Sequence, residues 1–281
     1  MTATITTAMD KSTCEYALGY SNAEHDRLIR QALLIAPITE RFLREAGIGT
    51  GHRVLDLGSG LGDVSMVVAG LVGPSGEVVG LERDASSIAK ASARVEAARF
   101  RNVVFAQGDV NDIVSEKTFD AAVGRFILMF QTDPLSVLKS VSRLVRPSGI
   151  LAFQEPSWTG MLAMAARLPL WSRVLGNIHE MFLRSGINPE MGLDLPGKFQ
   201  TIGLPAPTMH LDMLLGSDAT FPGIMLGLLR SVLPLADKHG LPLAELGYIN
   251  TLSERIQAEI AAANAVVGFV PIVSAWARKP F

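Results

Sequence analysis

Val54-Leu55-Asp56-Leu57-Gly58-Ser59-Gly60-Leu61-Gly62-Asp63 decides the reading of this chain. Arg53 to Leu57 is a short apolar strand that ends on an acidic residue and runs into a glycine turn, and a helix opens near Asp63. Glycines let a ligand approach the backbone, and a helix N-terminus offers unpaired N–H groups. That geometry suits a nucleotide-like ligand at the edge of a doubly wound sheet. A dinucleotide turn wants G-x-G-x-x-G. Here the glycines fall at 58, 60 and 62, and Asp63 stands where the third should be. Asp56 and Asp63 repel a pyrophosphate and tolerate a cation. S-adenosylmethionine, with a sulfonium and an ammonium and no phosphate, therefore fits better than NAD or FAD.

The flanking sequence repeats the strand-then-helix rhythm. Strands are expected at Glu77–Leu81, Asn102–Ala106, Phe119–Val123 and Ile150–Gln154, with helices at Asp63–Leu71, Ala85–Arg99 and Pro134–Val145. Such alternation implies right-handed crossovers and a parallel sheet covered on both faces. The strands are continuously apolar, as strands buried on both faces are. The second strand ends at Glu82, placed to accept hydrogen bonds from ribose hydroxyls, which serves either cofactor class. The third ends in Gln107-Gly108-Asp109-Val110, where a carboxylate can take an adenine amino group or merely cap the turn at Asn111.

With these residues together, the chain resembles a class I S-adenosylmethionine-dependent methyltransferase, closest to small-molecule enzymes of the quinone and natural-product type. The resemblance covers residues 16–155 well. It implies a seven-stranded sheet of order 3-2-1-4-5-7-6 with strand seven antiparallel. It implies that Asp56 and the turn Gly58, Ser59 and Gly60 meet the methionine part of the cofactor. It also implies Glu82 on the ribose, Arg83 beside the adenine, Asp109 and Val110 on the adenine edge, and Gly124 and Arg125 near the sulfonium. The fourth strand is followed by Gly124-Arg125-Phe126-Ile127, not the Asn/Asp-Pro-Pro-aromatic motif of enzymes acting on base amines. Arg125 would also repel the magnesium of catechol-type relatives. A metal-free reaction on a small molecule is the expectation.

Two regions are candidates for the acceptor side. Tyr16 and Tyr20 precede the first core helix and, in related enzymes, such a segment closes over the site; Arg27 is placed to pair with the methionine carboxylate. Ser21 with Glu24 equally fits a helix capping box. After strand five come Glu155 and, further on, His179; with Tyr20 they are the catalytic candidates. Trp158, Met161, Met164, Trp171, Met181 and Met191 read as core or as a flexible apolar pocket.

The 281 residues carry 25 Lys plus Arg against 27 Asp plus Glu, a formal charge of -2, which argues against a nucleic-acid binder. One cysteine, Cys14, excludes an intramolecular disulfide. Ala265–Ala277 is too short to cross a bilayer, and Met1–Asp10 lacks the features of a signal peptide, so a cytoplasmic location is expected. With 48% hydrophobic residues, a homo-oligomer with an apolar substrate is expected. The expected layout is a tail and helical lid over 1–46 and a methyltransferase domain over 47–281. Within that domain lies a helical substrate-binding insertion at 157–190. Residues 1–14 read as a disordered tail, and Pro37 as a kink or break in the helix from Ser21 to Ala46. The expected activity is methyl transfer to oxygen, carbon or nitrogen of an apolar, secondary-metabolite-like molecule, with oxygen or carbon favoured. The alternatives are use of the sulfonium charge for cyclisation or decarboxylation, and modification of RNA or protein.

Overall fold

The short apolar strands Arg53–Leu57 and Glu77–Glu82 cannot bury themselves, and each is followed by a helix that packs against the sheet. The computed structural model describes residues 5–7, 18–111, 113–241 and 243–281. A short strand β1 (Ile5–Thr7) precedes helix α1 (Asn22–Glu45). Strands and helices then alternate through β2 (Arg53–Leu57), α2 (Asp63–Val72), β3 (Glu77–Glu82), α3 (Ala85–Ala97) and β4 (Val103–Gln107). After these come β5 (Ile113–Ser115), β6 (Phe119–Arg125), α4 (Pro134–Leu144) and β7 (Val145–Pro156). Helices α5 (Trp158–Ala165), α6 (Pro169–Arg184) and α7 (Met191–Thr201) follow. The chain ends with β8 (Thr208–Asp212), β9 (Leu215–Gly216), α8 (Thr220–Lys238), α9 (Leu252–Ala262), β10 (Val267–Gly268) and β11 (Ile272–Arg278).

The main sheet has seven strands in the order β4-β3-β2-β6-β7-β11-β8. Five pair in parallel, and β11 is antiparallel to both β7 and β8. Counting only these strands along the chain, the order is 3-2-1-4-5-7-6 with an antiparallel seventh strand, as the resemblance implied. Side chains alternate across the sheet. Val54, Val78, Val123 and Ala152 pack with α1 and α2 residues such as Phe42, Leu43 and Val68. Leu55, Leu57, Leu81, Leu151 and Phe153 face the opposite cluster with α4 to α8.

Polar residues interrupt the first of these faces at its C-terminal end. Arg125 pairs in register with Gln154, and Gln154 with Ser274. Gln154 Nε2 donates to Ser274 Oγ at 2.9 Å, Thr39 of α1 donates to Gln154 Oε1 at 2.7 Å, and Arg125 Nη1 donates to Thr39 Oγ1 at 3.0 Å. Asp56, on the same face of β2, accepts from Ser65 of α2 at 2.5 Å. Thr39, Asp56, Ser65, Gln154 and Ser274 are each enclosed and hydrogen-bonded, as buried polar atoms must be to avoid their desolvation cost.

Several sequence expectations change. Ile5–Thr7 is not a loose tail but pairs antiparallel with β5; the other residues of 1–14, and Tyr16, lie outside the described residues. Pro37 does not divide α1, which runs unbroken past it. Leu33, whose carbonyl loses its partner there, is exposed, so water can take that bond. Residues 243–262 are helical in three pieces. Gly247 has φ +65°, and 3-10 turns at Leu243–Leu246 and Ile249–Thr251 precede α9. Pro169 starts α6 afresh after α5, and β10 and β11 are separate strands either side of Pro271. Pro271 has no N–H to give a ladder.

Two measurements check this account. Phe153 is fully buried and meets Phe199 edge-on at 6.3 Å. Phe153→Ala should lower the unfolding free energy by about 3–5 kcal/mol, read from urea midpoints. Burial pushes Asp56 up from 3.8 to about 7. Between those values the folded chain holds a proton that the unfolded chain has released, so this group's stabilisation falls as pH rises toward 7. Asp56→Asn should remove that component from a plot of stability against pH. The component from Glu155, pushed up to about 8 by burial, should persist.

Candidate functional site

The C-terminal ends of β2, β3 and β6 and the glycine turn border a cavity of about 710 Å³, within the range of small-molecule sites. The turn forms its floor. Gly58, Gly60 and Gly62 have φ of +60°, +52° and +78°, the left-handed region where a side chain is strained. A Cβ at Gly58 would sit 2.5 Å from the Ile127 side chain. At Gly60 a Cβ would meet nothing closer than the Gly58 carbonyl at 4.0 Å, so the backbone there is open to a ligand. Ser59 lines the same cavity, and its buried hydroxyl has no hydrogen-bond partner among the described residues.

Glu82 joins this floor to the next strand. Oε2 accepts from Gly60 N–H at 3.0 Å, and Oε1 accepts from Arg83 and Asp84 N–H at 2.9 and 3.0 Å. Three backbone bonds hold the carboxylate still, with lone pairs left for hydroxyl donors. Asp109 also lines the cavity. Its Oδ1 takes both the backbone and side-chain N–H of Asn111, at 2.8 and 2.7 Å. The turn-capping reading of Asp109 therefore holds, and Oδ2 is the oxygen open to a ligand. Val110 is buried at the same edge.

The roof comes from residues 18–31. Ser21 caps α1 by accepting from Glu24 N–H at 3.1 Å. The Glu24 side chain does not return to Ser21; it takes Arg27 through two bonds, at 2.8 and 2.5 Å, and the Ser231 hydroxyl of α8 at 2.6 Å. Arg27 also donates to Gln31 at 2.8 Å. Arg27 lines the cavity as a charge already matched, which leaves it a weak receptor for a ligand carboxylate. At the other end His25 meets Lys90 of α3 at 2.5 Å and Ser87 at 3.4 Å. Tyr20 accepts from Arg83 Nε at 2.9 Å, bridging the roof to the end of β3. Burial raises the Tyr20 phenol above its ordinary value, so it stays protonated near neutrality.

Of the sequence-selected residues, Tyr20, Arg27, Gly58, Ser59, Gly60 and Glu82 line the cavity, and so do Arg83, Asp109, Val110 and Arg125. Four do not. Asp56 lies beneath the turn. Gly124 is glycine for packing, since a Cβ would meet Ile127 at 2.8 Å and Phe153 at 2.9 Å. Glu155 is fully buried and accepts from the N–H groups of Ile127, Leu128 and Met129 at 3.0, 2.8 and 3.3 Å. Both its oxygens hold the loop after β6, and neither faces the cavity as a base. His179 stacks against Trp158 at 6.0 Å between centroids, outside the lining. Trp158 alone of the tryptophan and methionine set reaches the cavity, meeting Phe182 edge-on at 5.4 Å. Sequence reasoning missed Phe126, which lines the cavity at φ +54°. A non-glycine residue held in that region stores strain of the kind found at functional sites, and nothing in its residue type announces it.

This arrangement fits S-adenosylmethionine: an open glycine floor, an orphan hydroxyl beside it, and a pinned carboxylate one strand away. Known proteins agree. The family model described as "Methyltransferase domain" matches residues 48–183. An arsenite methyltransferase of Aquipseudomonas alcaligenes is 38% identical over 113 residues, 37% of this chain and 33% of its own length. The ubiquinone/menaquinone biosynthesis C-methyltransferase UbiE of Cellvibrio japonicus is 35% identical over 123 residues, 42% of this chain and 49% of its own. The chain thus spans between a third and a half of these curated relatives. The solved YcgJ protein from Bacillus subtilis shares the fold with a TM-score of 0.57 at 15% identity, covering 86% of this chain and 98% of that one. Residues 48–183 match a methyltransferase domain, and turn, sheet order and sequence matches together make this chain similar to the class I S-adenosylmethionine-dependent methyltransferases.

Proposed function

We propose that the whole protein transfers a methyl group from S-adenosylmethionine to an apolar small molecule of secondary-metabolite type, at oxygen or carbon. The observation that carries this reading is the two-sided cavity. Its floor is the glycine turn with Ser59 and Glu82, and its far wall is Phe126, Met129, Trp158, Phe182 and Ile187. When bound, the cofactor supplies a methyl group on a positively charged sulfur, already activated for in-line displacement.

The chain's own part is positioning and exclusion of water. Glu82 offers lone pairs to ribose hydroxyls, the Gly60 backbone admits close approach, and Asp109 offers Oδ2 to an amino group. The apolar wall keeps the acceptor dry, and residues 18–31 act as a lid tied down at both ends. Tyr20 is the only one of the three catalytic candidates that faces the cavity, and as a neutral phenol it orients rather than removes a proton. That favours an acceptor atom that reacts without a resident base. The 157–190 segment supplies the acceptor wall in this reading, and the apolar composition supports a homo-oligomer. No described helix is long and apolar enough to cross a membrane.

Titration calorimetry on ligand-stripped protein should show S-adenosylhomocysteine binding. Glu82→Gln should weaken it by about 10- to 100-fold, the loss expected for hydrogen bonds to a charged group. Absence of binding to the wild type would remove the proposal. Turnover that leaves S-adenosylmethionine intact would instead indicate cyclisation or decarboxylation chemistry.

A further inference from the structure

The cation that sits at the end of β6 has less company than its position demands. Arg125 lines the cavity beside the glycine turn, yet it makes a single hydrogen bond among the described residues, Nη1 to Thr39 Oγ1 at 3.0 Å. A guanidinium carries five N–H donors. Its two nearest carboxylates act on it only through space, and each is otherwise engaged. Asp63 is held by Arg94 at 2.7 Å and Asp56 by Ser65 at 2.5 Å. Burial lowers the Arg125 pKa from its ordinary value despite both, the mark of a cation short of counter-charge. The other cavity arginines differ: Arg27 is forked onto Glu24, and Arg83 is bound to Tyr20.

A desolvated cation without a partner is costly to a fold, and a chain keeps one where a ligand completes it. The sulfonium cannot do so, because two positive charges in a low-dielectric cleft repel. The expectation that Arg125 lies against the sulfonium is therefore unfavourable on charge alone. We propose that Arg125 is the anion receptor of this cavity, taking a ligand carboxylate through its planar fork, and that Arg27 is a structural tie of the lid. The Thr39–Gln154–Ser274 chain behind it fixes the guanidinium from one side and leaves the cavity side open. The carboxylate has two possible sources, the amino-acid end of the cofactor or an acidic acceptor.

This inference rests on the cofactor reading above. Its test compares wild type, Arg125→Met and Arg125→Lys by calorimetry and thermal melting. The probes are S-adenosylhomocysteine, its decarboxylated analogue S-adenosyl-3-thiopropylamine, and octanoate and benzoate titrated into cofactor-saturated protein. Arg125→Met should melt no lower than the wild type without ligand and lose about 10- to 100-fold in carboxylate affinity. Arg125→Lys, which keeps the charge without the fork, should recover part of that loss. Loss for S-adenosylhomocysteine but not for its decarboxylated analogue assigns the cofactor carboxylate. Loss for octanoate or benzoate alone assigns the acceptor. The proposal is overturned if no carboxylate ligand separates the variants from the wild type. It is equally overturned if both variants melt lower and lose carboxylate and carboxylate-free ligands alike, as a brace for Thr39 would. Failure of the cofactor reading looks different: the wild type then takes up neither S-adenosylhomocysteine nor the analogue.

Discussion

Three backbone N–H groups, from Gly60, Arg83 and Asp84, converge on the carboxylate of Glu82, and the rest of the site depends on that convergence. A glycine turn between strand and helix is free to adopt many shapes, since glycine loses more conformational freedom on folding than any other residue. Glu82 removes that freedom by fastening Gly60 to the end of the neighbouring strand. The cost of burying a carboxylate is offset by the bonds it accepts. The result is a preorganised floor whose electrostatic sign suits a cation and does not suit a diphosphate.

The opposite rim is organised by a second buried carboxylate with a different task. Glu155 gathers the N–H groups of Ile127, Leu128 and Met129, and so fixes the loop that carries Arg125 and the strained Phe126 into the cavity. Both carboxylates sit at strand ends, where a parallel sheet leaves loop N–H groups without ladder partners. One holds the glycine-turn side of the crevice and the other the side lined by Arg125 and Phe126. Side chains tie down the segment over the cavity as well: Glu24 holds Arg27 and reaches across to Ser231, while Arg83 reaches Tyr20.

What was legible in the sequence follows from how local each signal is. The strands β2, β3 and β6, the turn at 58–62 and the helices α2 to α4 are marked by apolar runs, glycines and caps within a few residues of one another. The cavity residues on or next to those elements, from Gly58 to Asp109, were found the same way. Glu155 and His179 were selected as catalytic on residue type and position, and their partners explain why the reading changes. The partners lie 28 residues upstream for Ile127 and on a separate helix for Trp158. Arg27 was a receptor for the methionine carboxylate by charge alone until Glu24, one helical turn earlier, took its fork.

The sequence by itself determined the sheet class, the cofactor and the acidic residues around the turn. Those signals are short-range, and the electrostatic sign of a ligand can be read from the residues that would touch it. Only the tertiary structure decided which charges are spent on the protein and which remain for a ligand. Glu24 and Glu155 are occupied by neighbours that folding brings to them, while Arg125, between α1 and β7, donates to one hydroxyl and faces the cavity. The balance between burial and available partners fixes that difference, and partners are assigned only when distant segments pack.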